Sequence, residues 1–139
     1  MDVLLSIKPQ FAERIFDGSK KFEYRKIIFN RPEIHKVIVY ASNPIKRIVG
    51  EFGISGIIKD TPESLWDRTY GYAGVNRDFF FQYFTGRDYA YAICVGCAVK
   101  YKVPLNPRDI LFDFVAPQSF MYVDGRHIVM HPICQAETN

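Results

Sequence analysis

The sequence predicts an α+β fold, a mixed sheet or small barrel of about six strands with short peripheral helices. Three observations point there. Apolar stretches of strand character are interrupted irregularly by short helical segments, instead of alternating regularly with them as in a parallel α/β chain. Lys46 to Lys59 reads as one long strand broken by Gly50, Gly53 and Gly56, and glycines inside a strand mark bends or bulges where a sheet curls. Eight prolines and nine glycines are spread over 139 residues with no linker and no repeat, so one domain spanning residues 1–139 is expected.

The elements follow in order. Asp2 to Lys8, rich in Val, Leu and Ile, is a first strand. Pro9 to Asp17 places Phe11, Ala12, Ile15 and Phe16 at helical spacing, with a proline suited to the first turn and Gly18 positioned to end the helix. From Lys21 the period becomes two, with Phe22 and Tyr24 on one face and Lys21, Glu23 and Arg25 on the other. Asn30, Arg31 and Pro32 mark a loop. His35 to Ser42 is a strand whose run Val37 to Tyr40 implies cover on both faces, and Asn43-Pro44 ends it.

After the glycine-rich strand, Thr61-Pro62-Glu63 reads as the cap and first turn of a short helix through Trp66. Tyr70 to Gly74 is loop, Asn76 caps a helix from Arg77 to Phe84, and Gly86 stops it. Asp88 to Lys102 alternates large and small residues and is expected near the centre of the sheet. Ser119 to Asp124 and His127 to Met130 are short strands around an Asp124-Gly125 turn.

Twelve Phe, nine Tyr and one Trp exceed what a small core needs for volume, so some are expected to line a surface or cleft. The net charge of +3 is unevenly placed: between Lys20 and Lys36 six basic residues face two acidic ones, which favours a phosphate-bearing partner. The start of the chain lacks the pattern of an export signal, and no apolar run has bilayer length. Three cysteines make no disulfide framework, so a cytoplasmic monomer without membrane contact is expected.

The stretch Gly18 to Arg25 sets lysine, glutamate and arginine beside two aromatics, and function is placed there. Its bland reading is a strand edge whose charges block pairing with other chains. Strict alternation would put Lys20 on the Phe22 and Tyr24 face, so a site shared with Glu23 and Arg25 requires the Gly18-Ser19 turn to carry Lys20 around. Cys94 and Cys97 are three apart on a strand and face opposite sides, so they read as buried structural cysteines rather than metal ligands. His127 and His131 lack a nearby acid to complete a ligand set. No nucleophile elbow and no phosphate-binding loop is present, and the Phe79 to Phe84 aromatic cluster reads first as core packing. No metal or cofactor is expected.

Gly18, Lys20, Glu23 and Arg25 match the G-x-K-x-x-E-x-R signature of the ASCH domains, named for homology to an activating signal cointegrator and grouped with the PUA-like superfamily. Ser6 to Pro9, Tyr40 to Pro44, Ile48 to Phe52, Phe80 to Ala92 and Pro117 to Phe120 resemble that family in order. The resemblance implies a small mixed or antiparallel PUA-like β-barrel of five to six strands with flanking helices, and a cleft beside the first helix. It also implies RNA, nucleotide or nucleoside partners, including modified bases. Some ASCH proteins resemble hydrolases that cleave RNA or deacylate acetylated cytidine; in the deacylating kind a threonine stands where this chain has Glu23.

Two functions are therefore expected of one cleft. As a binding module, Lys20 and Arg25 meet phosphate or a base edge, Glu23 accepts from a base amine or holds Arg25, and Tyr24 or Tyr40 stacks on a base. As a metal-independent hydrolase, Lys20 acts as base or nucleophile while Glu23 moves protons. Lys8, Ser42, Gln118 and Ser119 are expected to complete the cleft, since they lie at element ends where loops place function. Their alternative reading is satisfaction of backbone groups at strand ends.

Overall fold

The apolar start of the chain builds β1 (Asp2–Ile7), and Pro9 opens α1 (Pro9–Asp17). Gly18 ends that helix with a φ of 88°, the left-handed conformation that the absence of a Cβ permits. The chain continues through β2 (Phe22–Arg25), β3 (Lys36–Ala41), β4 (Arg47–Asp60), α2 (Pro62–Thr69), α3 (Arg77–Tyr83), β5 (Ala90–Leu105) and β6 (Phe120–Val123), in a computed structural model that describes residues 1–124. The Asn76 side chain accepts from the Phe79 amide at 2.8 Å and that of Thr61 from the Ser64 amide at 3.3 Å, so both expected caps form. α2 runs past Trp66 to Thr69, and a 3-10 turn at Tyr70–Tyr72 follows it. The expected strand at His127 to Met130, the Gly125 turn and the His127/His131 pair lie outside the described residues.

The strands form one mixed sheet in the order β2-β5-β4-β3-β1-β6. β1 and β3 are parallel, with α1 and β2 in the connection between them, and the other pairs are antiparallel. The barrel expectation is corrected: among the described residues the outer strands β2 and β6 share no ladder, and the sheet stays open. Each has only four residues, and a side chain, not a backbone ladder, spans the gap between them. β5 lies inside the sheet but next to its edge strand, not at its centre.

The glycines of β4 do mark bulges. Its pairing with β5 shifts between Ile48 and Gly50, Phe52 and Ile54, and Ile54 and Gly56. A Cβ on Gly50 would run into the Phe16 ring and the Val99 carbonyl, so α1 seats directly on that glycine.

β1 and β3 are covered on both faces. Val3, Leu5, Val37 and Val39 pack with Ala12 and Ile15 of α1, while Leu4, Ile38 and Tyr40 pack with Tyr101, Leu105 and Phe114. A third cluster joins Tyr24 to Leu65 of α2, to Phe80 of α3 and to Phe84 at its C-terminal cap. The cysteine expectation is also corrected: Cys94 is half-buried and Cys97 exposed, because no residue of β5 from Cys94 to Lys100 is fully covered on either face. No helix among the described residues is long and apolar enough to cross a membrane.

Candidate functional site

A cavity of about 250 Å³ opens where the start of α1, β2 and α3 meet. Lys20, Glu23 and Arg25 form its charged end, and Phe11, Val75, Phe79 and Phe80 supply apolar wall. Lys8, Ser6 and Gln118 also line it.

Lys20 reaches this cavity because the helix stop puts it outside the strand. Its amide donates to the Arg14 carbonyl at 2.9 Å, the Lys21 amide donates to the Tyr72 carbonyl at 2.9 Å, and regular strand begins only at Phe22. The turn thus carries Lys20 around, meeting the geometric condition for a site shared with Glu23 and Arg25. Its side chain is 1% exposed, and Nζ donates to the Ala73 carbonyl at 2.6 Å. The ammonium lies 4.8 Å from the Tyr24 ring centre and 3.9 Å from Glu23 Oε1.

Gly74, at φ 67°, lies against the lysine stem, so a Cβ there would come within 2.5 Å of it. Arg14 Nη1 donates to the Gly74 carbonyl at 2.7 Å and holds that segment over Lys20. Burial pushes the Lys20 amine down to about 8; the Glu23 carboxylate pulls it up and Arg14 pushes it further down. Burial drives the Tyr24 hydroxyl up to about 12, opposed by its hydrogen bond with Thr69 and reinforced by Glu23.

Arg25 is the most connected member. Nη1 donates to Glu23 Oε2 at 3.3 Å and to the Ser6 carbonyl at 3.4 Å, and Nη2 donates to the Ser119 carbonyl at 2.6 Å. Ser6 Oγ in turn donates to the Pro117 carbonyl at 2.8 Å, so the segment 117–119 is held from two sides and Gln118 is left at the cavity.

Of the residues singled out from the sequence, the structure brings together Lys8, Lys20, Glu23, Tyr24, Arg25 and Gln118 around this cavity. Ser119 adjoins it through its carbonyl and, at 3.5 Å from Arg25 Nη2, its hydroxyl. Tyr40 is elsewhere: it is 5% exposed, with its ring 5.2 Å from that of Phe114, on a core face of β3. Ser42 follows β3, its amide bonded to the Ile7 carbonyl at 2.9 Å, and does not line the cavity.

Sequence reasoning missed Arg14, Ala73, Gly74 and the cavity placement of Phe79 and Tyr83. The available signals were a glycine just before the Asn76 cap and the four-residue spacing of Phe79 and Tyr83, which separates them from Phe80 and Phe84.

Fold and cavity together define a small α+β domain with a cavity whose charged residues are delivered by the turn and strand after the first helix. Residues 5–103 match the ASCH domain, and the chain belongs to that family. It is 25% identical over 128 residues to the ASCH domain-containing ribonuclease of Zymomonas mobilis, covering 88% of this chain and 84% of that protein. It is 27% identical over 110 residues to the large ribosomal subunit protein uL22 of Ureaplasma parvum, and 27% identical over 122 residues to the ATP synthase subunit alpha of the same species. These matches cover 78% and 87% of this chain, but it spans only 34% and 15% of those longer proteins. The crystal structure of ASCH from Zymomonas mobilis superposes with a TM-score of 0.84 at 24% identity, over 92% of this chain and 91% of that one, which shows the shared fold.

Proposed function

We propose that this domain binds RNA, as a cytoplasmic monomer, and takes one nucleotide base into the cavity bounded by Lys20, Glu23 and Arg25. The observation that carries this is the asymmetry of Glu23: Oε2 receives Arg25 at 3.3 Å, whereas Oε1 stands 3.9 Å from Lys20 Nζ, beyond hydrogen-bond length. That oxygen is open to a base amine, and Gln118, lining the same cavity, can both donate and accept. Aromatic walls suit a flat base, and the exposed Lys8 near the opening suits a phosphate. The relatives named as a ribonuclease and a ribosomal protein support an RNA ligand.

A second reading, RNA or nucleoside hydrolysis without metal, is favoured by the burial of Lys20 beside Glu23 at the charged end of the cavity. With its amine brought down to about 8, Lys20 is partly uncharged in mildly alkaline solution and able to take a proton from a hydroxyl nucleophile. Glu23 at 3.9 Å then has a cation to stabilise or a proton to relay.

Titration of labelled single-stranded RNA at several salt concentrations tests the first reading: affinity is expected to fall as salt rises, and to fall further in Lys20→Ala. A salt-independent response, or none in either protein, contradicts it. Prolonged incubation of both proteins with RNA and with acylated nucleosides addresses the second, which requires turnover that Lys20→Ala abolishes.

A further inference from the structure

Helix α3 divides its aromatic residues between two faces. Phe80 and Phe84 are 1% and 2% exposed and enter the core beside Leu65 and Ala90. Phe79 and Tyr83, on the adjoining stripe, are half-buried and line the cavity. Their rings are parallel to within 8°, with centres 6.2 Å apart.

A cation from another element lies over each ring. Lys8 Nζ, from the junction of β1 and α1, is 5.3 Å from the centre of Phe79, and Lys26 Nζ, just past β2, is 4.7 Å from the centre of Tyr83. Core packing accounts for Phe80 and Phe84, and for the side of Tyr83 that meets the Phe84 ring at 4.8 Å. It gives no reason for two parallel rings at a cavity to be met by ammonium groups.

We propose that Phe79 and Tyr83 form a stacking ledge for nucleotides flanking the one in the cavity, so that the ligand is single-stranded RNA and not a free mononucleotide or a duplex. This rests on the RNA-binding reading above. A base lying on the ledge replaces the ammonium over the ring, and the displaced Lys8 or Lys26 reaches the adjoining phosphate. Every base has a π-face, so the ledge tolerates sequence, whereas bases already stacked inside a duplex do not reach it.

The test compares nucleoside monophosphates, a tetranucleotide and a blunt hairpin as ligands for the wild type, Lys26→Ala, Tyr83→Leu and Tyr83→Phe, with circular dichroism to confirm folding. The wild type is expected to prefer the tetranucleotide over both other ligands. Lys26→Ala and Tyr83→Leu are expected to cut the ratio of tetranucleotide to mononucleotide affinity by about tenfold, and Tyr83→Phe to retain it. Lys26 is half-buried and lies just past the end of β2, outside regular strand, so its substitution keeps the test valid should Tyr83→Leu fail to fold. An unchanged ratio in Lys26→Ala, or equal wild-type affinity for tetranucleotide and hairpin, overturns the ledge while leaving the cavity reading intact. A wild-type protein that binds no RNA overturns both.

Discussion

Arg25 Nη2 donates to the Ser119 carbonyl at 2.6 Å, and this bond links the two outer edges of the sheet, since Arg25 ends β2 and Ser119 immediately precedes β6. The same guanidinium holds Glu23 Oε2 and the Ser6 carbonyl through Nη1. A planar fork with several fixed donors can serve all three acceptors, which a single ammonium cannot do with the same geometry. Site and seam are therefore one structure.

Arg25→Ala is accordingly expected to destabilise the fold by about 3–5 kcal/mol, because it strands the buried Glu23 carboxylate with only Lys20 at 3.9 Å. Denaturant unfolding measures this, and amide exchange in Phe120–Val123 should accelerate. Arg25→Lys, which keeps charge but loses the fork, should fall between. A loss below about 1 kcal/mol would mean that the seam carries little of the stability.

Stability should also respond to Lys20 titration. Its amine titrates near 10.5 when free but about 8 in the folded protein, so between those values the unfolded chain holds more protons and stability rises with pH. Below about 8 the contribution is a constant cost of burying charge. Between pH 7 and 10 the wild type should gain on the order of 2 kcal/mol relative to Lys20→Met, read from urea midpoints. Tyr24 acts oppositely: its hydroxyl rises from 10.0 to about 12, so its contribution is lost above pH 10, and Tyr24→Phe should remove that decline.

Gly74→Ala should disturb the site from behind. It forces φ 67° on a residue with a Cβ and drives that carbon into the Lys20 stem, for an expected loss of about 1–3 kcal/mol together with weaker RNA binding. Gly86→Ala is the control. It has a similar φ of 78° but open space around it, so it should cost stability without affecting ligand affinity.

Much of this was legible because it is local. Caps at Thr61 and Asn76, the stop at Gly18 and the bulges of β4 follow from residues beside one another in the chain. Lys20, Glu23 and Arg25 were equally accessible, being two to five residues apart. Long-range consequences were not. Ala73 and Gly74 cover Lys20 through bonds to residues some fifty to sixty positions away, among them Arg14 to the Gly74 carbonyl and Lys20 to the Ala73 carbonyl. The apolar run Val37 to Tyr40 reveals cover on both faces but not which face meets which cluster, so Tyr40 read equally well as a stacking residue. Closure of the sheet depended on whether two four-residue edges could form a ladder, which strand propensity does not decide.

The most direct test of RNA binding in the Lys20–Glu23–Arg25 cavity is an NMR titration of the nitrogen-labelled protein with a short single-stranded RNA, following each backbone amide. The expected result is saturable shifts at Lys20 to Arg25, at Ala73 to Val75 and at Gln118, which surround the cavity. A second cavity shares Lys20 with the first and is otherwise lined by residues apart from it, among them Phe16, Asp17, Val95 and Ala98, which provide the internal comparison. Shifts confined to Phe16, Asp17, Val95 and Ala98, or no saturable shift at Glu23 and Arg25, would contradict RNA binding in the charged cavity.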